Sequence, residues 1–243
     1  MMKAKLYVVI LIGCCLIVAG CKSTSVISSN HPSNPYLDSI KKIMKTEWPK
    51  NRTINLVFHG HSVPSGYFKT PDVKTFDAYP LLTLKKVKDL YPYAVVNAIT
   101  TSIGGDNSVA GAKRFEQDVL VHKPDVLFID YAINDAGLEL DVSKKAWEEM
   151  IEKALAKNIK VILLTPSPNL KVDINDSNDA LYKHSEQIIM LAKKYNIGLA
   201  DSYGAFRNVK NKTGSLGKYM AQFNHPNKKG HELIVNEIIK WFY

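Results

Sequence analysis

Four short stretches of this chain carry residues that could perform acyl transfer. They are His59-Gly60-His61-Ser62, Ser102-Ile103-Gly104-Gly105-Asp106, Ile133-Asn134-Asp135 and Asn224-His225-Pro226. A serine hydroxyl is a weak nucleophile until a base takes its proton, and a histidine is the usual base at neutral pH. The tetrahedral oxyanion that follows needs donors already in place. A backbone N–H at a glycine turn and an asparagine amide can supply them. Ser62, the Gly104-Gly105 turn, Asn134 and His225 therefore form a candidate set: nucleophile, two oxyanion donors and base.

These residues lie far apart in the chain, so the fold must gather them. Five mostly apolar, β-like runs precede or separate the blocks: Ile54 to Phe58, Ala94 to Ile99, Asp125 to Asp130, Ile159 to Thr165 and Ile197 to Asp201. Most read as apolar on both faces, the signature of buried parallel strands. Helical patterns alternate with them. Ser143 to Lys157 places Trp147, Met150, Ile151 and Ala154 on one stripe, with Ser143 as the expected N-cap. Ser177 to Tyr195 and Asn227 to Phe242 repeat the pattern. The expectation is an α/β fold: a five-stranded parallel sheet with helices on both faces. In such sheets the site lies beyond the carboxyl ends of the strands, where the first three blocks fall. The fourth opens the last helix.

The blocks, in this order, resemble those of the SGNH (GDSL-type) hydrolases, from Ile54 to Trp241. The resemblance implies a flavodoxin-like three-layer sandwich and a serine esterase working without a cofactor. It implies Ser62 as nucleophile, Gly105 and Asn134 beside the Ser62 N–H in the oxyanion hole, and His225 as base. It also implies a small-molecule or glycan ester as substrate, with glycan deacetylation as a subclass. Two departures stand out. Gly60-His61-Ser62 replaces the family's Gly-Asp-Ser. Gln222, three residues before His225, replaces the Asp that orients the base, and no Asp or Glu occurs between Asp201 and Glu232. Gln222 could accept an N–H from His225 and fix its tautomer, but it brings no charge. The site is then a Ser–His dyad, a triad whose acid comes from elsewhere, or an impaired enzyme.

Other readings compete. Ser62 could be a helix N-cap, Gly104-Gly105 a tight turn and Asn134 an Asx-turn. Asp135 reads as a structural hydrogen-bonder. His59 and His61 form an H-x-H pair that could ligate a metal in a metal-dependent hydrolase. The barrel that uses such a pair on its first strand has eight strands, against five here. His231-Glu232 fails the H-E-x-x-H spacing, since position 235 is Val. A non-catalytic carbohydrate-binding protein is the remaining alternative, with Tyr67, Phe68, Tyr79 and Tyr131 stacking on sugar rings.

The N-terminus bears on location. Lys3 and Lys5 precede an apolar run from Leu6 to Ala19, which is too short to span a bilayer and ends in Val18-Ala19-Gly20-Cys21. The run is similar to a bacterial lipobox. Residues 1–20 are then a signal peptide, Cys21 the lipidated first mature residue, and 21–35 a flexible Ser/Asn/Pro tether to a single domain at 36–243. Cys14, Cys15 and Cys21 are the only cysteines, so the domain holds no disulfide and no cysteine metal site. The expected setting is the bacterial cell envelope. The 32 basic and 23 acidic side chains give a net charge of +9, spread over Lys-rich helix faces such as Lys85-Lys86-Lys88. No basic motif interleaved with aromatics occurs, so no nucleic-acid partner is expected.

Overall fold

The computed structural model describes residues 34–243. The expected signal peptide, Cys21 and most of the tether lie outside the described residues. Asn34 and Pro35, read as tether, belong to the domain: Asn34 accepts the Tyr36 N–H and caps a short 3-10 turn over Pro35–Leu37.

The five apolar runs become strands β1 (Thr53–Gly60), β2 (Val95–Thr100), β3 (Val126–Asp130), β4 (Lys160–Leu164) and β5 (Gly198–Ala200). All pair in parallel, in the order β2-β1-β3-β4-β5. This is the flavodoxin-like order, whose chain reversal lies between β1 and β3. The helices are α1 (Asp38–Met44), α2 (Ser62–Ser65), α3 (Tyr79–Leu90), α4 (Ser108–Asp118), α5 (Ala132–Asp135), α6 (Leu140–Leu155), α7 (Ala180–Tyr195), α8 (Ser202–Thr213) and α9 (Lys228–Ile239).

Side chains alternate across a strand, so each strand feeds two cores. Leu56, Phe58, Phe128 and Ile162 pack on one face against α1, α3, α8 and α9 through Met44, Val87, Phe206 and Ile238. Val57, Leu127, Ile129 and Leu163 pack on the other against α4, α6 and α7 through Phe115, Trp147, Met150 and Ile188. β3 is buried at every position, as expected of a central parallel strand. β2 departs from the expectation of double-sided burial. It is an edge strand, with Val95 and Asn97 facing solvent.

Helix boundaries moved where polar side chains took other work. α6 begins three residues before Ser143, which is no cap: it is buried, and its Oγ donates to the Leu140 carbonyl. α7 begins at Ala180 because Asp179 is the cap, accepting the Leu181 N–H, while Asp176 turns the preceding loop. α9 starts after Asn227, whose side chain caps Gly230 N, and ends at Ile239 in a 3-10 turn.

Candidate active site

The carboxyl ends of β1 and β3 meet at Gly60 and Asp130, which are register partners. A Cβ on Gly60 would lie 2.4 Å from the Asp130 carbonyl oxygen and 2.9 Å from Pro64 Cγ. Only glycine lets the chain turn from the strand into α2 this close to β3. His61 is the N-cap of α2, its Nδ1 accepting the Val63 N–H at 3.3 Å. Ser62 is thus the first helical residue rather than the cap. Its Oγ lies 2.9 Å from His225 Nε2.

His225 arrives on a tight turn closed by a Met220–Pro226 bridge, with the Ala221 N–H donating to the His225 carbonyl. His225 is 6% exposed. Its Nδ1 has two neighbours with opposite demands. The Phe68 carbonyl, at 3.1 Å, requires an N–H there. The Gln222 amide nitrogen, at 2.7 Å, offers a proton and requires a lone pair. Gln222 is held this way round because its Oε1 accepts the Thr70 N–H at 3.1 Å and its nitrogen donates to Asn224 Oδ1. The sequence reading placed Gln222 in contact with His225, and it is. Its expected role as acceptor is corrected: the acceptor that stands against Nδ1 is the main chain at Phe68. With Nδ1 protonated, Nε2 keeps the lone pair that faces the Ser62 hydroxyl. Burial first, then the adjacent His61, push the His225 imidazole below its ordinary range, and the Phe68 carbonyl opposes them. Among the described residues no carboxylate lies within ion-pair reach of the His225 ring.

The oxyanion candidates share one loop system. Gly105 has φ +87°, with open space where a side chain would stand. Asn134, in α5, donates one amide proton to the Asp106 carbonyl at 2.7 Å, which leaves the second proton of the same NH2. The Asx reading of Asn134 is thereby replaced by a tie between α5 and the glycine turn. Asp135 is structural, as expected: it is fully buried and accepts from Ser108 N at 2.8 Å and Trp147 Nε1 at 2.7 Å. Arg114 was not foreseen. Its guanidinium binds Asp106, Asp118, the Thr101 and Gly60 carbonyls and Tyr131 Oη, fastening the glycine turn to the end of β1. No local pattern in the sequence marks it.

The metal alternative fails on geometry. His59 and His61 do not converge. His59 spends both ring nitrogens on Thr101 Oγ1 and the Gly111 carbonyl, and burial lowers its pKa to about 4. His61 faces Asp130. The sugar-stacking set is also corrected: Phe68, Tyr79 and Tyr131 are buried, and Tyr67 alone of the four stays half-exposed, beside His225 and Gly104.

Residues 58–233 match the model of the GDSL-like lipase/acylhydrolase family. Among solved structures, the chain is similar to the acetylxylan esterase Axe2 from Geobacillus stearothermophilus, at 19% identity and TM-score 0.68 over 78% of this chain and 94% of that one. It is similar to the acetyl xylan esterase AlAXEase at 26% identity and TM-score 0.64, over 76% of this chain and 98% of that one. A two-domain esterase active on acetylated mannans matches at 21% identity and TM-score 0.70, over 87% of this chain and 53% of that one. No curated protein matches. The blocks, the strand order and the matched span agree: this chain belongs to the GDSL-like lipase/acylhydrolase family and is an SGNH-type carboxylic ester hydrolase.

Proposed function

We propose that the chain removes short acyl groups, acetyl foremost, from a glycan at the bacterial cell envelope, through an acyl-enzyme on Ser62. The observation that carries the mechanism is the 2.9 Å contact between Ser62 Oγ and His225 Nε2. Ser62 Oγ attacks the ester carbonyl carbon as its proton passes to His225 Nε2. The carbonyl oxygen becomes an oxyanion held by the N–H groups of Ser62 and Gly105 and by Asn134 Nδ2. The intermediate collapses, the C–O bond to the alcohol breaks, and the alcohol leaves with the proton from Nε2. Water then attacks the acyl-Ser62, giving its proton to His225. The acid departs and Ser62 regains its hydrogen. Throughout, the Phe68 carbonyl holds Nδ1–H, so the imidazolium that forms keeps one oriented acceptor but no counter-charge.

Support for acetylated glycan as the substrate comes from the relatives, whose names state activity on acetylated xylan and mannan. Support for the envelope is the lipobox-like run ending at Cys21. The test is hydrolysis by the purified protein of 4-nitrophenyl esters of increasing chain length and of acetylated xylo- and manno-oligosaccharides. The expected result is activity that falls as the acyl chain lengthens, with release of acetate from an oligosaccharide and none from Ser62→Ala. Activity that survives in Ser62→Ala would overturn the mechanism. Preference for long acyl chains would overturn the substrate. For the anchor, mass spectrometry should find lipid on Cys21 and none in Cys21→Ser; a lipid-free wild type contradicts it.

A further inference from the structure

The carboxylate missing beside His225 has a counterpart on the far side of Ser62. Asp130, the last residue of β3, is 4% exposed. Among the described residues its nearest basic side chain is the His61 imidazole, with Oδ1 3.3 Å from Nε2, and no Lys or Arg reaches it. Its second oxygen accepts the Tyr79 hydroxyl at 3.0 Å. A buried carboxylate without a strong counter-cation is costly, and is tolerated when both oxygens are hydrogen-bonded.

Each of those two bonds leads to one member of the Ser62–His225 pair. On one side, His61 is fully buried, and its Nδ1 takes the Val63 N–H, so Nε2 carries the hydrogen that faces Asp130. That fixes the ring, the cap of α2 and hence Ser62, whose Oγ stands 3.5 Å from the same Nδ1. On the other side, the Tyr79 N–H donates to His231 Nδ1 at 3.1 Å. His231 is fully buried and stacks on the Phe68 ring, with centroids 5.3 Å apart and planes at 19°. Phe68 supplies the carbonyl that orients His225.

Resting on the catalytic reading above, we infer that Asp130 is a positioning residue that orders both members of the dyad, Ser62 through His61 and His225 through Tyr79, His231 and Phe68. It touches neither reacting atom. The His61 that replaces the family's acidic residue before the nucleophile is then the link that brings a carboxylate to the nucleophile's side.

Asp130→Asn keeps the size of the side chain and a hydrogen bond to each neighbour while removing the charge. In the full chain, kcat should fall about 10–100-fold with KM held within about twofold, the size of effect expected when an outer-shell carboxylate partner is altered. The reaction of Ser62 with a fluorophosphonate should slow by the same factor. The 15N NMR signals of His225 should move from one Nδ1–H tautomer to a mixture, which a purely structural residue would not cause. Tyr79→Phe, cutting one arm, should shift the His225 tautomer. His61→Asn, cutting the other, should slow fluorophosphonate labelling and leave that tautomer alone. Wild-type kcat and labelling in Asp130→Asn would overturn the inference, as would an unmoved His225 tautomer. Should Asp130→Asn fail to fold, the two single-arm variants decide, and wild-type behaviour in both overturns it. Full activity in Ser62→Ala or His225→Ala would instead defeat the underlying catalytic reading. Silence of Asp130→Asn beside two dead dyad variants defeats this inference alone.

Discussion

The two sides of the Ser62–His225 contact are built differently. The nucleophile's side is dense with ionised and hydrogen-bonding groups. Asp130 holds His61, Arg114 fastens the loop that carries Gly105, and Asp135 ties α5 to α4 and α6. The base's side has a main-chain carbonyl and a glutamine amide. A main-chain carbonyl can choose a tautomer, because it accepts and never donates. It cannot offset an imidazolium as a carboxylate does. Orientation and charge, usually supplied together by one aspartate, are thus separated here, and the separation can be tested from each side.

The largest effects should come from the contact itself. Ser62→Ala and His225→Ala should each remove nearly all turnover, by up to about 10⁶-fold where the pair acts as a unit. The double variant should be little worse than either, as steady-state kinetics will show. A double variant much worse than both singles would mean that the two residues act independently. Next, Asn134→Ala should lower kcat about 10²–10³-fold. Its cost in melting temperature should be small, because the amide's one observed bond is to a loop carbonyl. Wild-type turnover would confine Asn134 to holding that loop.

Gln222→Glu sharpens the comparison from the base's side. A glutamate of the same length can accept the Thr70 N–H with one oxygen and His225 Nδ1–H with the other. It would remove the competing donor and add the missing charge. kcat/KM at neutral pH should rise, about tenfold on the scale of a charge-assisted hydrogen bond. A fall would show that the Phe68 carbonyl alone already sets the base. Smaller still is the pH effect. Burial and the neighbouring His61 lower the His225 pKa, so the acidic limb of kcat/KM should lie below the ordinary histidine value of about 6.5. A limb above that value would place a carboxylate at His225 after all.

Stability gives a separate check on the buried histidines. His59 is pushed down to about 4 and His231 to about 3, both chiefly by burial. Unfolded, each titrates near 6.5, so below that pH the unfolded chain binds more protons. Stability is therefore complete above about pH 6.5 and is lost as the pH falls toward the folded values. Melting temperature should drop steadily between pH 6.5 and about 4; a flat profile would contradict their neutral burial.

The sheet and the four blocks were legible because both are local. Apolar runs such as DVLFID announce a central strand, and a glycine turn, an asparagine and a serine stand directly after strand ends. Asn227 was read correctly as the start of the last helix for the same reason. What escaped was set by long-range geometry. Phe68 acts through its carbonyl, which side-chain chemistry does not signal. Arg114 sits mid-helix like any surface arginine. Asp130 was counted only as the end of a strand, although a carboxylate closing a fully apolar run at the carboxyl end of the sheet was a readable hint. Gln222 was placed correctly, but its amide orientation depends on the Thr70 N–H, 152 residues away in sequence.

The claim on which the rest depends is that Ser62 is a nucleophile activated by His225. Intact-mass and peptide mapping after treatment with a fluorophosphonate test it directly. The account predicts one adduct per chain, on Ser62, absent in Ser62→Ala and formed far more slowly in His225→Ala. An actively esterolytic protein that takes up no adduct, or takes it up at another residue, would contradict it.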